Sequence, residues 1–209
     1  MPTSPTRPNL SIIIVSWNVE TLLANCLHSV AQHRADLSIE VIVVDSASSD
    51  GTVEMVQTQF PWVKLLACTE NVGFPKGNNL GIDQATGDFV LLLNPDTVVR
   101  EHALTTMVAY LQANPTVGLV GPQLLNGDGS VQSSRRRLPT IATAFFESTW
   151  LEPHAPSGLL DRFFVRDVAD GETAVVDWVT GACMMVPRRI IETVGGMDEA
   201  YFMYSEELD

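Results

Sequence analysis

Positive charge is scarce in this sequence of 209 residues. Lysine and arginine together number 12 against 25 acidic residues, so the formal net charge at pH 7 is −13. Nucleic-acid binding needs a basic face, and this composition excludes it as a main function. The charge also repels anionic ligands, so such a ligand needs a bound metal or clustered arginines. One cluster exists, Arg135, Arg136 and Arg137, although a solvated loop explains it equally well by spacing alone.

Cysteines and long apolar runs are few as well. Cys26, Cys68 and Cys183 lie far apart and form no C-x-x-C pair. This spacing disfavours a disulfide framework or a zinc site and indicates a reducing, cytoplasmic location. The longest apolar runs, such as LSIIIVSW and FVLLL, are too short to cross a bilayer. The proline-rich residues 1–9 lack the apolar core of a signal peptide and predict a flexible tail.

Apolar runs alternate with helical patterns up to residue 121. LSIIIVSW and IEVIVVD are typical of strands buried on both faces, and VKLLAC, DFVLLL and VGLVG predict further strands. Helical spacing between them, as in REHALTTMVAYLQAN, predicts βαβ units, a mostly parallel sheet and an α/β fold. After residue 121, NGDGS predicts a turn between short strands, residues 139–170 are irregular, and AVVDWVTGACMMV predicts two strands around Gly181. We expect one domain over residues 10–209.

Polar residues follow the predicted strands at their carboxyl ends, where open α/β sheets bind ligands. The first strand ends in Ser16, Trp17 and Asn18. The second ends in Asp45, and the fourth is followed by Asp96 in NPDT. Two carboxylates at two strand ends favour a ligand site. The structural alternatives are a helix cap or turn for Asp45 and a turn residue for Asp96.

The stretch ENVGFPKGNNLG, residues 70–81, resembles a phosphate loop at first sight. Its glycines recur every four residues and follow the third predicted strand, which excludes the G-x-G-x-x-G dinucleotide fingerprint. Lys76 precedes Gly77 and no serine or threonine follows, which excludes a P-loop. A nucleotide contact in a different arrangement stays open.

Five segments occur in the order seen in family 2 glycosyltransferases. They are SIIIVSWN, VIVVDSASSDGT, ENVGFPKGNNLGIDQATGDFVLLLNPDT, WVTGACMMV and GGMDEAYFMYSEELD. From about Leu10 to Asp209 the chain resembles this family, and in particular the branch that contains bacterial rhamnosyltransferases. The resemblance implies a GT-A fold and an inverting sugar transfer from a nucleoside-diphosphate donor. It also implies a nucleotide-sugar-binding half over residues 10–121 and an acceptor-side half over residues 122–209.

The resemblance implies nucleoside contacts from three segments. The edge from Ser16 to Asn18 would pack against the base, with Trp17 where relatives often have tyrosine, and Asp45 would hydrogen-bond the base or the ribose. The residues implied for the wall beside the nucleoside are Gly73, Phe74, Gly77, Asn78 and Asn79. The glycines would permit close backbone approach. Many relatives carry arginine at the position of Asn78, so Lys76 is a candidate to replace its charge, with a solvated lysine as the alternative.

NPDT stands where the family has its D-x-D-type metal motif. Asn94 occupies the first acidic position, and the resemblance implies that the retained acid, Asp96, binds Mg²⁺ or Mn²⁺ on the donor diphosphate. The leaving group gains negative charge as the glycosidic bond breaks, and a hard cation offsets it. One carboxylate with phosphate oxygens and waters is an ordinary magnesium arrangement.

The acids of SEELD at the C-terminus carry the catalytic prediction. An inverting transfer needs one base to deprotonate the acceptor hydroxyl. The family's base is the second acid of an acidic pair, which is Glu207 here, after Glu206. Most relatives have aspartate at this position. Neighbouring carboxylates would raise one another's pKa, which suits a base near neutral pH. An exposed acidic helix start is the alternative.

The remaining implied contacts belong to the acceptor side. Asp177, Trp178 and Gly181 would lie by the sugar and acceptor, with core packing as the alternative for Trp178. Arg135 and Arg136 would approach the donor diphosphate or an acceptor phosphate. The implied acceptor is a cell-surface glycan or a lipid-linked sugar at the inner face of the membrane, and the leading donor is dTDP-rhamnose, with a UDP-sugar as the alternative.

The sequence supports one expectation about the length of the chain and leaves two alternative functions open. Relatives continue past the position of Asp209, so we expect a truncated chain, with peripheral membrane contact through the missing region. A nucleotidyltransferase also places acids at strand ends, but SWNVETLL lacks the basic glycine-rich loop that it needs. A non-catalytic nucleotide-sugar-binding protein would bind the donor and never turn it over.

Overall fold

The computed structural model describes residues 8–34 and 37–203. The described chain forms two compact units, one of residues 8–122 and 181–203 and one of residues 123–180. None of its helices is long and apolar enough to cross a membrane, as far as the described residues go. The expected division of a single domain into two functional halves stays a prediction.

The described residues form nine strands and seven α-helices. The strands are β1 (Leu10–Ser16), β2 (Ile39–Asp45), β3 (Lys64–Ala67), β4 (Phe89–Leu93), β5 (Leu124–Leu125), β6 (Val131–Gln132), β7 (Arg135–Arg136), β8 (Trp178–Val179) and β9 (Cys183–Pro187). The helices are α1 (Glu20–His33), α2 (Thr52–Gln59), α3 (Phe74–Gln84), α4 (Ala103–Ala113), α5 (Ile141–Glu147), α6 (Leu159–Phe163) and α7 (Arg188–Val194).

The first unit is built on a five-stranded sheet in the order β3-β2-β1-β4-β9. β1 to β4 are parallel, and β9 pairs antiparallel with β4. Ile12, Ile13 and Ile14 of the central strand β1 are fully buried, as are Ile42, Val43 and Val44 of β2. Strands covered on both faces need such continuous apolar runs. The predicted α/β fold with a mostly parallel sheet is therefore confirmed.

Two secondary-structure predictions need correction. VGLVG does not form a strand, because only Val120 pairs, in a single antiparallel bridge to Met185, while Leu119 is exposed. The stretch over residues 139–170 is less irregular than predicted, since it contains α5, α6 and a short 3-10 turn at Glu152–His154. Thr140 starts α5 as an N-cap, its hydroxyl accepting a hydrogen bond from the Thr143 amide at 3.1 Å.

The second unit contains two short antiparallel pairs. β5 pairs with β6 across NGDGS, where the Asn126 amide donates to the Ser130 carbonyl at 2.8 Å. This turn is the one that the sequence predicts. β7 pairs with β8, so Arg136 lies opposite Trp178. The side chains of Phe163 and Trp178 contact each other, with ring centroids 6.4 Å apart.

The four-residue glycine period of α3 lies against β1. A Cβ atom at Gly77 would lie 2.8 Å from Cγ1 of Val15, and one at Gly81 would overlap Cγ2 of Ile13. α3 therefore packs its glycine face on the central strand at closer range than any larger side chain allows. The spacing that looked like a phosphate loop is explained by helix-on-sheet packing.

We expect Gly81→Ala to destabilise the protein although alanine favours helix. The helical gain is about 1 kcal/mol, whereas forcing a methyl group into a packed core costs about 1–3 kcal/mol. Ile13 is fully buried on the central strand and cannot move aside, so the packing cost should lie in the upper part of this range, at about 2–3 kcal/mol, and the net loss near 1–2 kcal/mol. Urea unfolding measures it.

Gly118→Ala is the matched control. No heavy atom lies within 4 Å of a Cβ added at Gly118, so its free energy of unfolding should change by less than about 0.5 kcal/mol. Equal effects of the two substitutions would contradict the packing of α3 on β1.

Candidate active site

The strand order reverses between β1 and β4. β2 and β3 lie on one side of β1, and β4 lies on the other. In open α/β sheets a crevice forms at this switch point, outside the carboxyl ends of the strands, and ligands bind there. The predicted site residues that lie at these strand ends or just after them are Ser16, Trp17, Asn18, Asp45, Asn94 and Asp96.

Asp45 and Ser16 are two buried polar residues at this edge of the sheet. They lie opposite each other in the β1–β2 register, and each is 1% exposed. Oδ2 of Asp45 accepts a hydrogen bond from the Ser48 amide at 3.0 Å. Oδ1 of Asp45 and Oγ of Ser16 are buried and have no hydrogen-bond partner among the residues that the structure describes. The turn role considered for Asp45 is thus present, and it occupies only one of the two carboxylate oxygens.

Asn18 holds the loop after β2 against the end of β1. Its Oδ1 accepts hydrogen bonds from the amide of Ser49 at 2.7 Å and from the Ser49 hydroxyl at 3.2 Å. The backbone N–H of Asn18 donates to the hydroxyl of Ser48 at 2.9 Å. Asn18 and Ala47 both adopt positive φ angles, 54° and 60°, and such strain clusters at functional sites. Trp17, directly before Asn18, is 53% exposed and therefore accessible to a ligand.

Ser46 and Asn71 shape the loop before α3, and the sequence analysis missed both. The Ser46 hydroxyl donates to Asn71 Oδ1 at 3.0 Å and accepts from the Val72 amide at 2.8 Å. Asn71 Oδ1 also accepts from the Gly73 amide at 3.0 Å. Asn-x-Gly is the available sequence signal, because asparagine commonly bonds the backbone two residues on. The two side chains tie the end of β2 to the start of α3.

Asn78 is the third buried polar group of this region with an unpartnered atom. It is fully buried, its Nδ2 donates to the Phe74 carbonyl at 3.0 Å, and its Oδ1 has no partner within residues 8–34 and 37–203. α3 packs on both β1 and β2. Lys76 is exposed and Phe74 is half-buried. Asn78 thus presents a neutral acceptor at this position.

The Gly73 backbone is close to another part of the chain. Gly73 has a φ of +76°, and a Cβ there would lie 2.6 Å from the carbonyl oxygen of Phe202. The Phe202 carbonyl therefore approaches the start of α3. The predicted contributions of Gly73, Phe74, Lys76, Gly77 and Asn78 to a nucleoside wall stay predictions, although the close approaches at Gly73 and Gly77 are to protein atoms.

The turn after β4 presents Asp96 to solvent. The Asn94 carbonyl accepts hydrogen bonds from the Thr97 hydroxyl at 2.7 Å and from the Thr97 amide at 3.3 Å, which closes the turn. Asp96 is exposed. Among residues 8–34 and 37–203, no three histidine, cysteine or acidic side chains gather as a metal site.

The buried thiol of Cys26 contacts the same turn and is unreactive. Its thiol lies 3.8 Å from the Asn94 carbonyl and 3.8 Å from the Thr97 hydroxyl. Burial raises the pKa of Cys26 to about 11, so the group stays protonated near neutral pH. Since only the thiolate is a nucleophile, this cysteine supports the turn and takes no part in covalent chemistry.

The arginine cluster is engaged inside the second unit. Arg135 donates to the carbonyls of Val168 at 3.0 Å and Ala169 at 3.3 Å and pairs with Asp170 at 3.3 Å. Arg136 stacks over the Phe164 ring, with 4.7 Å from Cζ to the ring centroid. Burial lowers the pKa of Arg136. These contacts disfavour the predicted phosphate contacts, which stay predictions.

The predicted acceptor-side residues have structural contacts of their own. Oδ2 of Asp177 accepts a hydrogen bond from the Leu138 amide at 2.8 Å, and Nε1 of Trp178 donates to the Arg137 carbonyl at 3.2 Å. Gly181 lies in the turn before β9. Glu206 and Glu207 lie outside the described residues. The acceptor contacts and the base therefore stay predictions.

A sequence model of the Glycosyl transferase family 2 matches residues 11–194. The chain belongs to this family. The match runs from β1 to the end of α7 and includes the strand-end residues described above. The family resemblance that the five ordered segments predict is thereby confirmed.

Curated relatives include transferases of several sugars. The N-acetylglucosaminyl-diphospho-decaprenol L-rhamnosyltransferase of Mycobacterium tuberculosis is 26% identical over 96% of this chain and 68% of its own length. The low-salt glycan biosynthesis hexosyltransferase Agl10 of Haloferax volcanii is 28% identical over 96% of this chain and 60% of its own length. The chain spans only part of each of these relatives.

Solved structures support the fold of this family 2 member. The mannosyltransferase PcManGT from Pyrobaculum calidifontis, in complex with GDP-Man and Mn²⁺, aligns with a TM-score of 0.62 at 24% identity, covering 93% of this chain and 49% of its own. S. aureus TarS 1–349, in complex with UDP, aligns with a TM-score of 0.64 at 18% identity, covering 96% and 53%. The predicted GT-A fold is confirmed.

Proposed function

We propose that the chain contains the nucleotide-sugar site of an inverting glycosyltransferase. Rhamnose is the proposed sugar, and the acceptor is a glycan or lipid-linked sugar at the inner membrane face. The observation that carries the proposal is the pair of unpartnered buried atoms at the β1–β2 edge, Asp45 Oδ1 and Ser16 Oγ. A buried polar atom without a partner costs free energy. A ligand that supplies the missing partners recovers it on binding.

Asp45 favours a base that offers a ring N–H group. An ionised carboxylate only accepts hydrogen bonds, and both uracil and thymine carry such a donor. The exposed face of Trp17 adds a stacking surface, a kind of contact worth about 1–3 kcal/mol per base. We therefore take dTDP-rhamnose as the first donor to test and a UDP-sugar as the second. The mycobacterial relative is a rhamnosyltransferase, and TarS has been solved with UDP.

Asp96 fits a divalent cation on the donor diphosphate. Mg²⁺ commonly uses one or two carboxylates together with substrate phosphates and water, and Asp96 is an exposed carboxylate just past β4. When bound, Mg²⁺ or Mn²⁺ would offset the negative charge of the leaving diphosphate. The net charge of −13 strengthens the need for it. The PcManGT structure contains Mn²⁺.

Glu207 is the proposed base, preceded by Glu206. Its carboxylate takes the proton of the acceptor hydroxyl while the acceptor oxygen forms a bond to the anomeric carbon. The bond from that carbon to the diphosphate oxygen breaks on the opposite face, and its electron pair leaves with the nucleoside diphosphate. A single displacement of this kind inverts the anomeric configuration.

Nucleotide binding tests the proposal first. The thermal midpoint would be measured with dTDP, UDP, GDP and ADP, each with and without Mg²⁺. A ligand at 100 times its Kd stabilises the native state by about 2.7 kcal/mol, which for a chain of this size raises the midpoint by about 5–10 °C. We expect dTDP or UDP to do so with the metal present. No response to any of the four nucleotides contradicts the proposal.

Asp45→Asn should remove this response and leave the fold intact. The amide keeps its carbonyl oxygen on the Ser48 amide, so its NH₂ group faces the base and meets another donor. The mismatch should weaken dTDP and UDP binding by about 10–100-fold, from the 1–3 kcal/mol that an unpaired buried group costs. Asp83→Asn on the exposed side of α3 makes the same charge change, and we expect it to leave binding unaltered. Isothermal titration calorimetry compares the two.

A further inference from the structure

Asn79 of α3 is engaged with a distant segment of the chain. Its Nδ2 donates to the Met197 carbonyl at 2.9 Å and to Oε1 of Glu199 at 2.9 Å. Its Oδ1 accepts from the Met197 amide at 2.9 Å. Both N–H groups of the Asn79 side chain therefore have acceptors. The side chain also bonds both the backbone N–H and the backbone carbonyl of Met197. These partners lie about 118 positions away along the chain.

Gly196 is shaped to this contact. A Cβ atom at Gly196 would overlap Oδ1 of Asn79, so only glycine lets the amide approach the backbone here. Gly195 before it ends α7 with a φ of +99°, a conformation that favours glycine. The two glycines therefore turn the chain after α7 and bring it against Asn79.

A second anchor holds the same segment to α3. The Phe74 amide, at the first position of α3, donates to the Phe202 carbonyl at 3.0 Å. The Phe202 carbonyl also lies over the Cα of Gly73. Residues 196–202 are thus attached near both the start and the middle of α3. Residues 204–209, which contain the proposed base, follow directly in the chain.

We infer that Asn79 is a positioning residue that fixes residues 196–202 on α3, the segment that comes directly before the proposed acidic pair in the sequence. The inference rests on the proposed function. It replaces the predicted role of Asn79 in the nucleoside wall, because its amide donors are already engaged with Met197 and Glu199. Catalytic geometry is sensitive to such supports, since small displacements of reacting groups reduce the rate greatly.

Asn79→Ala separates positioning from donor binding. We expect the Kd of dTDP or UDP to stay within about twofold, while the kcat for transfer from dTDP-rhamnose to a polyprenyl-diphosphate N-acetylglucosamine falls by about 30–100-fold, as misplaced groups do. Amide hydrogen exchange at Met197 should quicken about tenfold or more because its acceptor is gone. Asn114→Ala is the control, since it removes an amide that bonds a carbonyl within the end of α4 at 2.9 Å; it should change none of the three readouts.

A paired exchange provides a specific rescue. Asn79→Asp keeps an acceptor for the Met197 amide but places a carboxylate against that of Glu199, so kcat should fall. Adding Glu199→Gln restores the hydrogen bond between the two side chains but not the one to the Met197 carbonyl, so we expect kcat to recover in part as the like-charge repulsion disappears. A nucleoside-wall residue would not be rescued by a change at Glu199.

The outcomes separate the inference from the proposed function. A weakened nucleotide Kd in Asn79→Ala, or unchanged exchange at Met197, overturns the positioning role. An unchanged kcat with faster exchange at Met197 also overturns it, since the segment would then move without effect on the chemistry. Wild-type protein that binds neither dTDP nor UDP overturns the proposed function, and with it the catalytic part of the inference.

Discussion

Replacing Asp96 with asparagine should remove metal-dependent turnover. The substitution keeps the size of the side chain and deletes the only carboxylate of NPDT. Because the net charge of the chain is −13, a diphosphate that has lost its cation is repelled as well as unneutralised. We expect kcat/KM for dTDP-rhamnose to fall by about 10³-fold, which corresponds to about 4 kcal/mol of transition-state stabilisation. Steady-state kinetics across a Mg²⁺ and Mn²⁺ titration measures it.

Glu101→Gln is the control for Asp96. It removes one negative charge from an exposed residue near Asp96 in the chain, and this residue contacts the exposed His102 at 3.4 Å. We expect its metal dependence to match that of the wild type. Asn94→Asp restores the first acidic position of the motif and should tighten metal binding. If Asp96→Asn retains metal-stimulated activity, the cation is held elsewhere and the assignment of Asp96 is wrong.

Glu207→Gln should abolish transfer while leaving the donor site intact. Glutamine cannot accept the proton of the acceptor hydroxyl, and loss of a general base commonly reduces the rate by about 10²–10⁴-fold. The Kd for dTDP or UDP should stay within about twofold, since the nucleoside contacts belong to other residues in the proposal. Calorimetry and single-turnover transfer together separate these two effects.

Two companion substitutions define the base. Glu207→Asp should retain a substantial part of the activity, because aspartate carries the same carboxylate on a side chain one methylene shorter. Glu206→Gln should reduce the rate less than Glu207→Gln does. The opposite order would move the base to Glu206, and equal small effects would favour a protein that binds the nucleotide sugar without turning it over.

The sequence predicted the strands, and which polar residues stand at their ends, because this information is local. Continuous apolar runs identified β1, β2 and β4, and a polar residue directly after such a run must lie at the carboxyl end of its strand. Asp45 and Asp96 were found in this way, and both are where a ligand of an α/β sheet would bind. The order of five motifs indicated the family, and each of the motifs is short and local.

Contacts between distant segments were not predictable in the same way. The glycine period of α3 is visible in the sequence, but its cause, close packing of Gly77 and Gly81 on β1, depends on which strand lies under the helix. In the sequence Arg136 has the pattern of a free cation in a cluster, whereas in the structure its guanidinium stacks on the Phe164 ring. VGLVG has the composition of a strand, but only Val120 found a partner. In each case the deciding neighbour is remote in the sequence.

The sequence by itself determined the family, the alternation of strands and helices, and the acids at the strand ends. The tertiary structure alone decided the strand order that puts β1 beside β4, the unpartnered oxygen of Asp45, and the attachment of Asn79 to Met197. The physical reason is the range of the interactions. Periodicity reports which face of an element is buried, whereas hydrogen bonds between segments about 118 positions apart form only after the chain has folded.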